Sequence, residues 1–182
     1  MYKVRFVNYP RHWQTYRDEF MTVIEDRLSR GELILRQDAL DFEKSMAERV
    51  GAKYAKGVNS GFDALHLSLR ALDIGPDDEV VTVDHTFLAS IAAIAWTGAK
   101  PVLIDVGDDF NMDMSLLETA ITPKTKAVMP VHLNGRTCDM ETLGQVLKKF
   151  EDKGQKIYVV EDAAQALGSK FNNRGAGSFG KT

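Results

Sequence analysis

The sequence predicts an α/β protein: a mainly parallel sheet covered by helices on both faces. From Tyr54 onward, short runs rich in Val and Ile take turns with stretches whose apolar residues recur at helical spacing. The strand runs are apolar almost throughout, the pattern of strands buried on both sides. The composition agrees, because 44% hydrophobic and 27% charged residues in a chain of 182 suit a folded domain with a real core.

The elements follow in order. Residues 13–29 place Trp13, Phe20, Val23, Ile24 and Leu28 at helical spacing, and Gly31 is the expected stop. A second amphipathic helix runs from about Asp38 to Val50, with Phe42, Met46, Ala47 and Val50 on one face and Gly51 closing it. Residues 1–52 therefore read as an N-terminal helical arm. A strand is expected near Tyr54–Val58, then Asn59-Ser60-Gly61 and a helix through Leu65, Leu69 and Leu72. Glu79–Val83 reads as a strand, followed by a helix from about Phe87 to Trp96. Lys100–Val106 is a strand and Met114–Ile121 a helix; Lys126–Val131 is a strand and Met140–Phe150 a helix. Lys156–Glu161 is the last strand, and the glycine-rich stretch after it reads as a loop.

Charge and cysteine content exclude several classes. Lys and Arg total 23 against 26 Asp and Glu, a net charge of −3, so nucleic acid has no basic footprint to bind. The single cysteine, Cys138, excludes an internal disulfide and fits a reducing compartment. No apolar run approaches membrane-spanning length and no signal-peptide pattern opens the chain, so a cytoplasmic protein with no membrane partner is expected. The histidines and the cysteine show no metal-ligand spacing.

Parallel strands joined by right-handed crossovers bring their carboxyl ends to one rim, where ligands of open α/β sheets sit. Ser60-Gly61, His85-Thr86-Phe87, His132-Leu133-Asn134-Gly135 and Asp162…Gln165 each follow a strand, so one shared pocket is the economical reading. Gly107-Asp108-Asp109 reads as a solvated turn. Asp162 leads the candidates, because a carboxylate delivered by a buried strand is costly unless a cation meets it. Its alternative role is capping the turn that follows. Ser60-Gly61 at a helix start can cradle an anion or simply cap the helix. Phe87, His85 and His132 could equally be structural. Gly175-Ala176-Gly177-Ser178-Phe179-Gly180 matches G-x-G-x-x-G, but neither a following helix nor a later acidic residue is present, so a dinucleotide site is set aside.

Four motifs together carry a resemblance: Gly57-Val58-Asn59-Ser60-Gly61-Phe62-Asp63-Ala64-Leu65-His66-Leu67, His85-Thr86-Phe87-Leu88-Ala89-Ser90, Pro130-Val131-His132-Leu133-Asn134-Gly135 and Glu161-Asp162-Ala163-Ala164-Gln165-Ala166. In this order they resemble the DegT/DnrJ/StrS family of PLP-dependent sugar aminotransferases, which have the aspartate aminotransferase fold (fold type I). The likeness runs from about Gly31 to Gly180. It implies that residues 53–182 are the N-terminal part of the PLP-binding large domain. It also implies a pyridoxal 5'-phosphate cofactor, with Asp162 as the catalytic residue on the pyridinium nitrogen. Gln165 would meet the phenolic oxygen, Phe87 would stack on the ring, and Ser60, Gly61 and Phe62 would hold the phosphate. The substrates implied are a nucleotide-linked keto-sugar and an amino-acid donor, with glutamate expected. Polysaccharide or antibiotic-sugar biosynthesis is the implied setting, and a homodimer the implied assembly.

Two departures accompany the resemblance. Phe62 stands where the family usually has Thr, whose hydroxyl helps bind phosphate. The family follows its glycine loop with a Phe-Ser-Phe strand and the Schiff-base lysine, whereas this sequence ends at Lys181-Thr182. The expectation is therefore a fragment that stops before the lysine and lacks the C-terminal small domain, inactive alone. Lys181 reads as a loop lysine. Alternatives within the family are a PLP- or PMP-dependent sugar 3-dehydratase and a truncated non-catalytic relative.

Overall fold

The computed structural model describes residues 4–31, 33–34 and 36–181. The chain forms two compact units, Met1–Phe42 and Glu43–Thr182. The division falls inside the second helix, earlier than the 52/53 boundary read from the sequence.

In the first unit, α1 spans Tyr9–Arg30. The Asn8 side chain caps it by accepting from the Arg11 amide at 3.3 Å, and Pro10 supplies the fixed φ that suits a first turn. Gly31 ends it at φ 67°, its N–H returning to the Arg27 and Leu28 carbonyls. None of its residues is buried in the unit, and Trp13 and Phe20 stack along it with ring centroids 6.4 Å apart.

In the second unit the rest of α2 (Gln37–Val50) leads into a sheet domain. Here β1 is Glu79–Val83, β2 Lys100–Ile104, β3 Thr125–Val128 and β4 Tyr158–Val159, all parallel in the order β2-β1-β3-β4. In register, Val81 faces Val102 on one side and Val128 on the other. The linking helices are α3 (Gly61–Ala71), α4 (Leu88–Trp96), α5 (Met114–Ala120) and α6 (Met140–Glu151).

Alternation along β1 separates two cores. Val80 joins Leu65 and Leu69 of α3 and Ala93 and Ile94 of α4; Val81 and Val83 join Leu117 of α5 with Leu143 and Val146 of α6. Each fully buried aliphatic side chain contributes about 1.5–3 kcal/mol. Polar caps start the helices: Asp113 takes the Ser115 amide and Asp139 the Thr142 amide.

Two expectations are corrected. Tyr54–Val58 is not a strand: the Gly57 amide bonds Glu43 Oε1 at 2.9 Å and Lys56 pairs with the same carboxylate, so this backbone never joins the sheet. Lys, Gly and Ala within the run also weaken it as a strand. The glycine-rich stretch after β4 is more ordered than a loop. It begins with a hairpin, β5 (Lys170–Phe171) and β6 (Arg174–Gly175), turned by Asn172 and Asn173 at φ 48° and 64°. Two residues at positive φ make the turn that matches strand twist, and Asn tolerates that region.

Candidate active site

Beyond Val159 the backbone stays extended against β3. The Val160 amide bonds the Val128 carbonyl at 3.1 Å, the Asp162 amide bonds Pro130 at 2.9 Å, and the His132 amide returns to the Asp162 carbonyl at 3.0 Å. These bonds fix Asp162 at the carboxyl rim of the sheet. Its Oδ2 accepts from Ser90 Oγ at 2.7 Å, and Ser90 Oγ lies 2.8 Å from Thr86 Oγ1. An ionised carboxylate only accepts, so Ser90 spends its proton on Asp162 and Thr86 donates to Ser90. Ser90 is fully buried in the first turn of α4, and Thr86 reaches it from the bend just before that helix.

A cavity of about 350 Å³ opens beside this carboxylate, within the range of small-molecule sites. Ser60, Gly61, Phe62, Phe87, Asp162 and Gln165 all line it, together with Thr86, Val131, His132 and Leu133 among others. Ser60 caps α3, its Oγ accepting from the Asp63 amide at 3.1 Å and donating to Asp63 Oδ2 at 3.0 Å. The Ala64 amide bonds the Ser60 carbonyl. The Gly61 and Phe62 amides make no hydrogen bond among the described residues, and the space beyond Gly61 is open. Phe62 packs edge-on against Trp96 at 5.3 Å and stacks on His66 at 6.0 Å. Phe87, immediately before α4, is 77% exposed.

Gln165 Oε1 accepts from the Asn134 amide at 2.7 Å, which assigns the amide orientation and leaves Nε2 as a donor. Asn134 is held at φ 55°, and Gly135 follows at φ 79°, where a Cβ would crowd the Gln165 carbonyl at 3.3 Å.

The two histidines of the rim separate. His85 is exposed, its ring 6.0 Å from that of Phe110, and it does not line the cavity. His132 is fully buried and Nε2 meets Glu161 Oε2 at 2.9 Å. Its Nδ1 accepts the Cys138 amide at 3.2 Å, which places the ring proton on Nε2. Glu161 also accepts from the Gly177 amide at 2.8 Å and the Gly180 amide at 2.6 Å. Burial pushes its carboxyl up, but the bonds from His132, Gly177 and Gly180 outweigh burial and hold it below the usual glutamate range. The G-x-G-x-x-G stretch thus wraps a carboxylate of this chain. Lys181 is exposed with its amide on the Val159 carbonyl, and no lysine lines the cavity among the described residues.

Sequence reasoning passed over Thr86 and Ser90. The only signal was a pair of hydroxyls just before and just inside a predicted helix start, and the bend at Thr86 brings them together.

Residues 14–182 match the model of the DegT/DnrJ/EryC1/StrS aminotransferase family. The chain belongs to this family. Among its relatives is the dTDP-3-amino-3,6-dideoxy-alpha-D-galactopyranose transaminase of Aneurinibacillus thermoaerophilus, 43% identical over 166 residues, covering 91% of this chain and 44% of the relative. The structure of DesV from S. venezuelae in complex with a ketimine intermediate superposes with a TM-score of 0.91 at 38% identity, covering 98% of this chain and 47% of that one. That of ntda from Bacillus subtilis with bound cofactor PMP does so with a TM-score of 0.85 at 29% identity, covering 92% and 38%. The chain spans about half the length of these family members or less.

Proposed function

We propose that this chain supplies the pyridoxal 5'-phosphate site of an aminotransferase acting on a nucleotide-linked keto-sugar, with glutamate as amino donor. The observation that carries the reading is the convergence of a carboxylate, a carboxamide donor, an exposed aromatic ring and two open helix-start amides on one cavity. These groups suit a ring with a basic nitrogen at one end and a phosphate arm. The family membership and the PMP bound in the ntda structure support it.

When bound, the cofactor supplies an electron sink for moving an amino group between substrates. Asp162 holds the proton at the ring nitrogen, and Ser90 fixes the direction of that carboxylate. Gln165 donates from Nε2 to the phenolic oxygen, and Phe87 covers one ring face. The Gly61 and Phe62 amides receive the phosphate at the start of α3, where the helix dipole adds about 0.3–2 kcal/mol. Phe62 brings no hydroxyl, and that of Ser60 is committed to Asp63, so the phosphate rests on backbone amides here. The amine needed for covalent transfer comes from outside residues 1–182 in this reading, and the assembly is a homodimer in the cytoplasm.

PMP tests the site, because it carries an amine and cannot condense with surface lysines. Calorimetric titration of the 182-residue chain should show one-to-one binding, and Asp162→Asn should weaken it at least about tenfold with an unchanged circular dichroism spectrum. Absence of binding to the unmodified chain, or equal affinity in the variant, defeats the proposal.

A further inference from the structure

Glu161 and His132 form a buried titratable pair with no part in the chemistry above. Their side chains are 2% and 0% exposed, so both are buried from solvent, His132 at the wall of the cavity and Glu161 behind it. Burying an ionisable pair is costly unless geometry and hydrogen bonding are nearly complete. Here they are. Glu161 Oε2 receives His132 Nε2 and the Gly177 amide, and Oε1 receives the Gly180 amide. His132 in turn is anchored by the Cys138 amide, and Cys138 Sγ bonds the Val131 carbonyl at 3.2 Å. Every group facing Glu161 donates.

A carboxylate suits that environment and an amide does not. Gln at the same place would turn one acceptor into an NH₂ group facing a backbone N–H or the imidazole N–H. The requirement is for an acceptor-only side chain, not for volume.

Neighbouring residues of an extended backbone face opposite ways. Glu161 therefore turns to the glycine loop while Asp162 turns to the cavity, on one rigid piece of chain. The loop lies close on the far side as well, since a Cβ on Gly177 would touch the Ala163 Cβ at 3.7 Å. We propose that Glu161 is a positioning residue: an acceptor-only hub, oriented by His132, that pins the loop 175–180 to the strand end carrying Asp162 and so fixes the Asp162 side of the cavity. The assignment of Asp162 to a cofactor rests on the function proposed above; the pinning of the loop does not.

The test uses amide hydrogen exchange by NMR on the 182-residue chain without ligand. In Glu161→Gln the Gly177 and Gly180 amides should exchange at least about tenfold faster, and the His132 Nε2 resonance should move. Asp162→Asn should leave all three unchanged. PMP affinity should fall in both variants. Unchanged protection of Gly177 and Gly180 in Glu161→Gln overturns the proposal. If that variant does not fold, the unmodified chain decides. As pH falls, protection of both amides should be lost together, along the carboxyl-carbon titration of Glu161 and before global unfolding. The groups in contact with Glu161 are the imidazole of His132 and the two amides, with the Cys138 thiol behind the imidazole, so no other carboxyl is needed for that coupling. Protection that persists through the Glu161 titration overturns it equally. Failure of PMP to bind any form removes the cofactor reading while leaving the loop result to stand or fall alone.

Discussion

At Ser90 one buried hydroxyl donates to Asp162 and accepts from Thr86. Ala at this position removes a bond to a carboxylate and strands the Thr86 hydroxyl. A hydrogen bond to a charged group is worth about 1.5–3 kcal/mol, so Ser90→Ala should weaken PMP binding about tenfold or more without unfolding the chain. Titration calorimetry checks this, and wild-type affinity in the variant counts against the relay. The place of Asp162 at the carboxyl rim was legible in the sequence, because the apolar run before it reads as a strand that ends there. Ser90 was not. A serine inside Leu-Ala-Ser-Ile-Ala-Ala reads as a small helix residue until the fold brings Asp162 across the rim to meet it. Glu161 shows the same limit, since its partners arrive from residues 132, 177 and 180.

Among the elements, the hairpin β5–β6 lies close against the end of α2 at Gly175. A Cβ on Gly175 would stand 2.5 Å from the Val50 carbonyl oxygen, a backbone atom that no side-chain rotation can move. Gly175→Ala should therefore destabilise the chain by about 1–3 kcal/mol. Thermal unfolding would show this as a lowered midpoint, and an unchanged midpoint would mean that the contact yields easily. Helices α1 to α6 were readable from helical periodicity, and strands β1 to β4 from short runs that are apolar almost throughout. Tyr54–Val58 and the hairpin escaped for opposite reasons. The first carries only Tyr54 and Val58 as strong strand formers and gives its Gly57 amide to Glu43 rather than to a strand; the second is two residues per strand, too short to carry a pattern.

For the molecule as a whole, buried carboxylates set the response to acid. Glu79, at the start of β1, lies below the usual glutamate range because the Thr122 hydroxyl and the Lys100 ammonium outweigh burial. Glu161 lies below it because three donors overcome burial. A carboxyl with a lower pKa folded than unfolded binds fewer protons in the folded state. Its stabilisation is complete above the unfolded value of about 4.3 and drains away as pH falls through the folded one. Urea midpoints should accordingly stay level between about pH 7 and 5 and drop below about 4. Midpoints that rise on acidification would contradict the assignment of both residues.

Cys138 follows the same logic with the opposite sign. Burial beneath the sheet pushes its thiol up to about 12, and its Sγ–H is spent on the Val131 carbonyl. The only sulfhydryl of the chain is therefore chemically silent while the fold holds, since the thiolate is the reactive form. Its awakening is a clock built into the protein: a chain whose sulfur reacts is one in which the core around Cys138 has already opened.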